Sequence, residues 1–180
     1  MMRRTLLLGG VAATLGAGLL VPTSAPAVAA PAAGPTPALA YPAAAAAMRA
    51  AGGAYAGWAR SGRDFLAFDP RGDGTAVEVV GDLATADRIA VVVPGVDTTL
   101  ATFTDGLGGV ARRAPATQAR SLYAAASPGD GNVAVIAWLG YDPPEGVGLE
   151  AAREVRAKAG ARNLAAFASW PPAVRPHGSP

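Results

Sequence analysis

Cysteine is absent from this 180-residue chain, which excludes disulfide frameworks, thiolate metal sites and cysteine nucleophiles. Histidine occurs once, at His177, so no multi-histidine metal cluster can be assembled within one chain. Aromatic residues make up only 6% of the sequence and charged residues 16%. The chain has 15 basic and 13 acidic residues, and setting aside Arg3 and Arg4 in a removable leader leaves a neutral remainder. Such a balance gives no reason to expect a nucleic acid or an anionic membrane as partner. No dinucleotide or P-loop glycine pattern is present, so neither a cofactor nor a metal is expected. What is abundant is alanine, at 45 residues. A quarter of the chain therefore has almost no side chain to bury, and one domain is the ceiling.

The first 29 residues have the layout of a secretory signal: Arg3-Arg4, an uncharged apolar run from Thr5 to Val21, then a small-residue stretch ending in Ala27-Val28-Ala29. Cleavage is expected before Ala30, which makes the product extracellular. The paired arginines also fit a twin-arginine leader, and the ordinary route stays open beside it. Residues 30–42, with Pro31, Pro35, Pro37 and Pro42, read as a linker. Residues 43–168 form the candidate domain. Residues 169–180, with four prolines after Trp170, read as a disordered tail.

Within the domain, Ala43 to Ala59 suits a helix weakened in its middle by Gly52-Gly53. Phe65 to Phe68 and Thr75 to Val80, separated by the turn formers Asp69 to Gly74, predict a β-hairpin. The turn's Asp69 and Asp73 lack the spacing of a calcium loop. Arg88 to Val93 and Val133 to Leu139 are continuous apolar runs, which predicts burial on both faces as in parallel strands. A helix is expected over Val110 to Ala126, kinked or restarted by Pro115, with Arg112, Arg113 and Arg120 on a solvated face. Gly148 to Phe167 predicts a last amphipathic helix, with Glu150, Arg153, Glu154, Arg156 and Lys158 outward. This alternation predicts an α/β fold with a mostly parallel sheet of about four strands and an antiparallel first hairpin.

Two loops follow the apolar strands and are the candidate sites, since open α/β sheets bind ligands beyond the carboxyl ends of their strands. Pro94-Gly95-Val96-Asp97-Thr98-Thr99 either presents a backbone N–H or merely ends a strand and caps the next turn. Trp138, Tyr141 and Asp142 either line the same cleft or pack in the core and start a turn.

Three blocks, Phe65 to Gly74, Ile89 to Thr99 and Val133 to Pro144, together resemble an exported actinobacterial α/β-hydrolase family whose shared domain is labelled as being of unknown function. The resemblance covers roughly residues 65–167 and implies the amino-terminal part of an α/β-hydrolase fold. It implies serine ester or lipid hydrolysis for the family, with the Gly95-Val96 loop supplying an oxyanion amide. It also implies a later Gly-His-Ser-Tyr-Gly-like elbow. None of Ser61, Ser121, Ser127, Ser169 and Ser179 lies in Gly-x-Ser-x-Gly, so the chain is expected to stop before the nucleophile and to be inactive by itself. Asp97, Thr98, Trp138, Tyr141 and Asp142 remain substrate-contact candidates, with a small ester or lipid as the family's ligand. The alternative is a secreted, non-catalytic binding or assembly module. The family's strand order leaves Ile89, Val91, Val92 and Val93 on an open edge, which predicts self-association.

Overall fold

A computed structural model describes residues 37–128, 132–146 and 155–169. The leader, the first part of the expected last helix and the tail with His177 lie outside the described residues.

Four strands form one sheet in the order β1-β2-β4-β3: β1 (Asp64–Asp69), β2 (Thr75–Val80), β3 (Arg88–Val92) and β4 (Val133–Leu139). β1 pairs antiparallel with β2 and β2 antiparallel with β4, while β3 pairs parallel with β4. Three strands therefore point one way and only β2 reverses, as a parallel sheet opened by an antiparallel hairpin requires. Leu66 is the extra residue of a bulge between the Phe65↔Glu78 and Ala67↔Val77 pairs. It lets Phe65 face one core cluster while Leu66 and Ala67 pack against the other.

Helices cover both faces. On the first lie α1 (Pro37–Ala51), α2 (Gly53–Arg60) and α3 (Pro115–Ala126), around Met48, Phe65, Leu100, Phe103, Val135 and Leu139. On the second, α4 (Val155–Ala168) brings Leu164 and Phe167 against Val77, Val79, Ile136 and Trp138. α3 restarts at Pro115, whose missing N–H costs nothing at the first helical position. No helix among the described residues is long and apolar enough to cross a membrane.

Four expectations need correction. Residues 37–42 belong to α1 rather than to a linker. Pro37 stands where no intrahelical donor is needed, and burial of Ala40, Ala44 and Met48 at four-residue spacing offsets the bond that Pro42 removes. The expected single helix over residues 43–59 is two helices, divided at Gly52, whose φ of 74° no helix contains. β3 is not buried on both faces: Val91 is 36% exposed and Val93 44%, because β3 ends the sheet and β4 covers one side only.

Arg120 is the fourth correction. Rather than facing solvent unpaired, it reaches Glu78 of β2 at 2.7 Å. Glu78 is 2% exposed and also takes a two-pronged bond from Arg63, at 2.7 Å for both contacts. A carboxylate so deep in the first face persists only because two guanidinium groups replace its water. Arg63 in turn lies over the Trp58 and Phe65 rings, 4.8 and 5.0 Å from their centroids. The triad ties the α2–β1 junction, β2 and α3 together.

Candidate functional site

The carboxyl ends of β1, β3 and β4 lie at the same edge of the sheet, so three loops converge there. The β1–β2 turn is drawn in by the Leu100 N–H, which donates to the Asp73 carbonyl at 2.7 Å. Gly74, at φ 75°, allows the approach: a Cβ there would lie 2.5 Å from Leu100.

The β3 loop is fixed on either side of Gly95-Val96. On one flank, the Tyr141 hydroxyl donates to the Pro94 carbonyl at 2.7 Å. Burial, and then the neighbouring Asp142, hold the Tyr141 phenol above its ordinary range, so it remains a donor. On the other flank, the Asp97 N–H donates to the Pro144 carbonyl at 3.0 Å, and the Gly146 N–H donates to the Asp97 carboxylate. Asp97 is the only non-glycine residue with positive φ, 60°, among the described residues. Between these ties Gly95 and Val96 are exposed. Neither of their N–H groups has a partner among the described residues. Beyond them Thr98 is buried, and Thr99 opens a short 3-10 turn in a reciprocal cap with Thr102.

The β4 loop is held by α4. Arg156 donates to the Asp142 carboxylate at 2.7 Å and to the Pro143 carbonyl at 3.0 Å, and lies 3.7 Å from Glu145. It was expected outward on its helix; the acidic loop draws it back over the sheet edge. The Asn163 amide donates to the Gly140 carbonyl at 3.0 Å. Gly160, buried in α4, lets the helix lie flat on the Tyr141 ring, which a Cβ would meet at 2.6 Å.

Asp142, Asp73 and Glu145 present carboxylate oxygens within 4.8 Å of one another. Burial raises the Asp142 carboxyl above its usual range; Arg156 opposes this, while the charge and hydrogen bond of Asp73 and the charge of Glu145 reinforce it. Arg156 spans two of the three acids, so the group forms an acidic rim fastened to α4.

Of the residues singled out in the sequence, Gly95, Val96, Asp97, Tyr141 and Asp142 come together at this edge. Trp138 does not. Its ring is 1% exposed, stacked on Tyr141 and packed against Phe167 in the second-face core, so the expectation of substrate contact is corrected for it. Thr98, 8% exposed, offers little surface to a ligand. Sequence reasoning missed Arg156, Glu145 and the Asp73 carboxylate as part of this edge, because their partners lie in other loops and no short spacing announces them.

A mixed sheet with a reversed first hairpin, helices on both faces and its exposed loop amides at the carboxyl edge defines an α/β scaffold of the hydrolase type. The family model described as alpha/beta hydrolase matches residues 69–176, and the chain belongs to that family. Comparison with curated proteins and with solved structures gave no match.

Proposed function

We propose that this chain forms the oxyanion-loop half of a serine ester- or lipid-hydrolysing site, in an exported α/β-hydrolase of the actinobacterial type. The observation that carries the reading is the Gly95-Val96 pair: two exposed residues whose N–H groups have no partner among the described residues, held from both flanks at the carboxyl end of β3. Donors fixed in this way stabilise developing negative charge without reorganising, and one such donor contributes about 10²–10³ in rate in a complete enzyme. In this reading Val96 donates to the ester oxyanion and Gly95 keeps the loop small enough for its approach. Asp142 stands on the rim, its carboxyl held above the usual range chiefly by burial.

The sequence places no serine in Gly-x-Ser-x-Gly, so the attacking hydroxyl comes from outside these 180 residues, and the chain by itself does not turn over esters. With p-nitrophenyl butyrate we expect no release of nitrophenolate above background; turnover abolished by substituting one serine of this chain would overturn the reading. Sodium butyrate, the carboxylate product, should shift the amide resonances of Gly95 and Val96 in a ¹H–¹⁵N spectrum. Export is tested by the N-terminal sequence of the product in culture medium, expected to begin at Ala30.

The half-site reading also carries an expectation about association, from one observation. The outer side of β3 has no strand partner among the described residues, and Val91 and Val93 stay exposed with Arg88 the sole charge on the strand. An edge with a single charge at one end and no proline within it is poorly guarded against pairing with another strand. The partner proposed is a second copy of the chain, edge to edge through Ile89, Val91, Val92 and Val93. Light scattering should show a dimer that Val91→Lys converts to monomer; a monodisperse monomer of the parent chain would count against it.

A further inference from the structure

The geometry points to Asp97 as a positioning residue rather than a substrate contact: it locks the β3 loop to the β4 loop and so fixes the direction of the Val96 amide. This inference rests on the oxyanion reading for its purpose, but not for its structural content. Its two bonds to the β4 loop are reciprocal. The backbone N–H of Asp97 donates to Pro144, while its carboxylate accepts from Gly146, two residues further on. A side chain can turn back in this way because Asp97 sits at φ 60°, a region open to Asp and Asn but strained for most residues. Gly146, at φ 65°, turns its own N–H toward the carboxylate.

The consequence for the neighbouring residue follows from peptide geometry. Each peptide unit is planar, so the orientation of the Val96–Asp97 unit is set by Asp97 N, which is pinned to Pro144. The Pro94 carbonyl is pinned by Tyr141 on the other side. One peptide unit, Gly95–Val96, lies between these two anchored units, and it carries the Val96 N–H. Arg156 then fastens the far loop to α4 through Asp142 and the Pro143 carbonyl. A continuous set of bonds therefore runs from helix α4 to the amide that would meet the ligand. Asp97 is the link between the two loops that sits at positive φ, a conformation few other side chains would adopt there.

Three substitutions separate the components. Asp97→Asn keeps both the acceptor oxygen and tolerance of positive φ. Asp97→Gly keeps the backbone conformation and loses the acceptor. Asp97→Ala loses both. Amide hydrogen exchange by NMR should show Gly146 exchanging at least about tenfold faster in Asp97→Gly and Asp97→Ala than in the parent chain, with Asp97→Asn close to the parent. In the same samples, the butyrate-induced shift of the Val96 amide should survive Asp97→Asn and be lost in Asp97→Gly. Unchanged Gly146 exchange in Asp97→Gly would overturn the lock, and so would a butyrate response that survives loss of the carboxylate. A parent chain whose Val96 amide ignores butyrate would sink the oxyanion reading alone, since the exchange arm judges the lock separately. Because glycine suits the native backbone at this position, the test does not depend on a variant that fails to fold.

Discussion

β3 and β4 are written in almost the same alphabet, Arg-Ile-Ala-Val-Val against Val-Ala-Val-Ile-Ala-Trp-Leu, and they run parallel side by side. Yet from Ala134 to Leu139 β4 is buried at every residue, whereas no residue of β3 is fully buried. The difference is one of neighbours. β4 has β2 and β3 beside it and helices on both faces, while β3 has a single strand partner. An apolar run states what a strand can tolerate; the number of elements packed on it decides what it contributes.

The sharpest way to break this comparison is to truncate one residue in each strand. Ile136→Ala removes a fully buried side chain from β4 and should cost about 2–5 kcal/mol in denaturant unfolding. Val91→Ala, at a position 36% exposed, should cost less than about 1 kcal/mol. Equal losses at the two sites would mean that β3 is covered in solution, and would favour the dimer over the open edge.

The comparison extends to the loops that leave the two strands, since the β4 loop is backed by α4 and the β3 loop is held through it. Gly160 is where helix and loop meet. Gly160→Ala forces a methyl group to within 2.6 Å of the Tyr141 ring, and overpacking of this kind typically costs about 1–3 kcal/mol. The gain in helix propensity opposes the clash without cancelling it, since it amounts to at most about 1 kcal/mol. Because displacement of the ring also pulls the Tyr141 hydroxyl from Pro94, the amide resonances of Gly95 and Val96 should shift as well. A variant as stable as the parent, with those resonances unmoved, would show that the loop tie does not depend on the helix.

Much of the scaffold was legible because its signals are local. The hairpin turn Asp69 to Gly74 and the β-branched and apolar strands place the starts and ends of β2 and β4 correctly. Pro115 marks the start of α3. The alternation of strand and helix implies the common direction of β1, β3 and β4. What escaped depends on partners far apart in the chain. Arg120 lies 42 residues from Glu78 and Arg156 lies 14 from Asp142, so each looks like an ordinary outward charge until the fold brings its carboxylate close. Trp138 failed as a site residue for a related reason. Strand alternation turns it toward the α4 face with Ile136, whereas Tyr141, three residues on, leaves the strand and reaches Pro94. Only the first residues of α1, 37–42, were hidden by its prolines, whose local cost is outweighed by burial that only the folded sheet provides.

The smallest expected effect concerns pH, and it separates the β4 loop from the end of β1 by sign. Burial, with help from Asp73 and Glu145 and against Arg156, raises the folded-state Asp142 carboxyl above its unfolded value. The folded chain therefore binds this proton more tightly than the unfolded one, and the resulting stabilisation is fully present below the ordinary aspartate range, about pH 4. It is lost as pH rises through the elevated value. Asp69, at the end of β1, behaves oppositely: its hydrogen bond from Arg71 holds the carboxyl below the usual range, so its contribution is present above that range and fades as pH falls. Asp142→Asn should accordingly flatten the decline in stability from about pH 4 toward neutrality, while leaving the loss at lower pH in place. Chemical denaturation across that range reads both limbs in one series. An unchanged profile in Asp142→Asn would mean that Asp142 releases its proton at an ordinary pH, with Arg156 outweighing burial at the rim of the β4 loop.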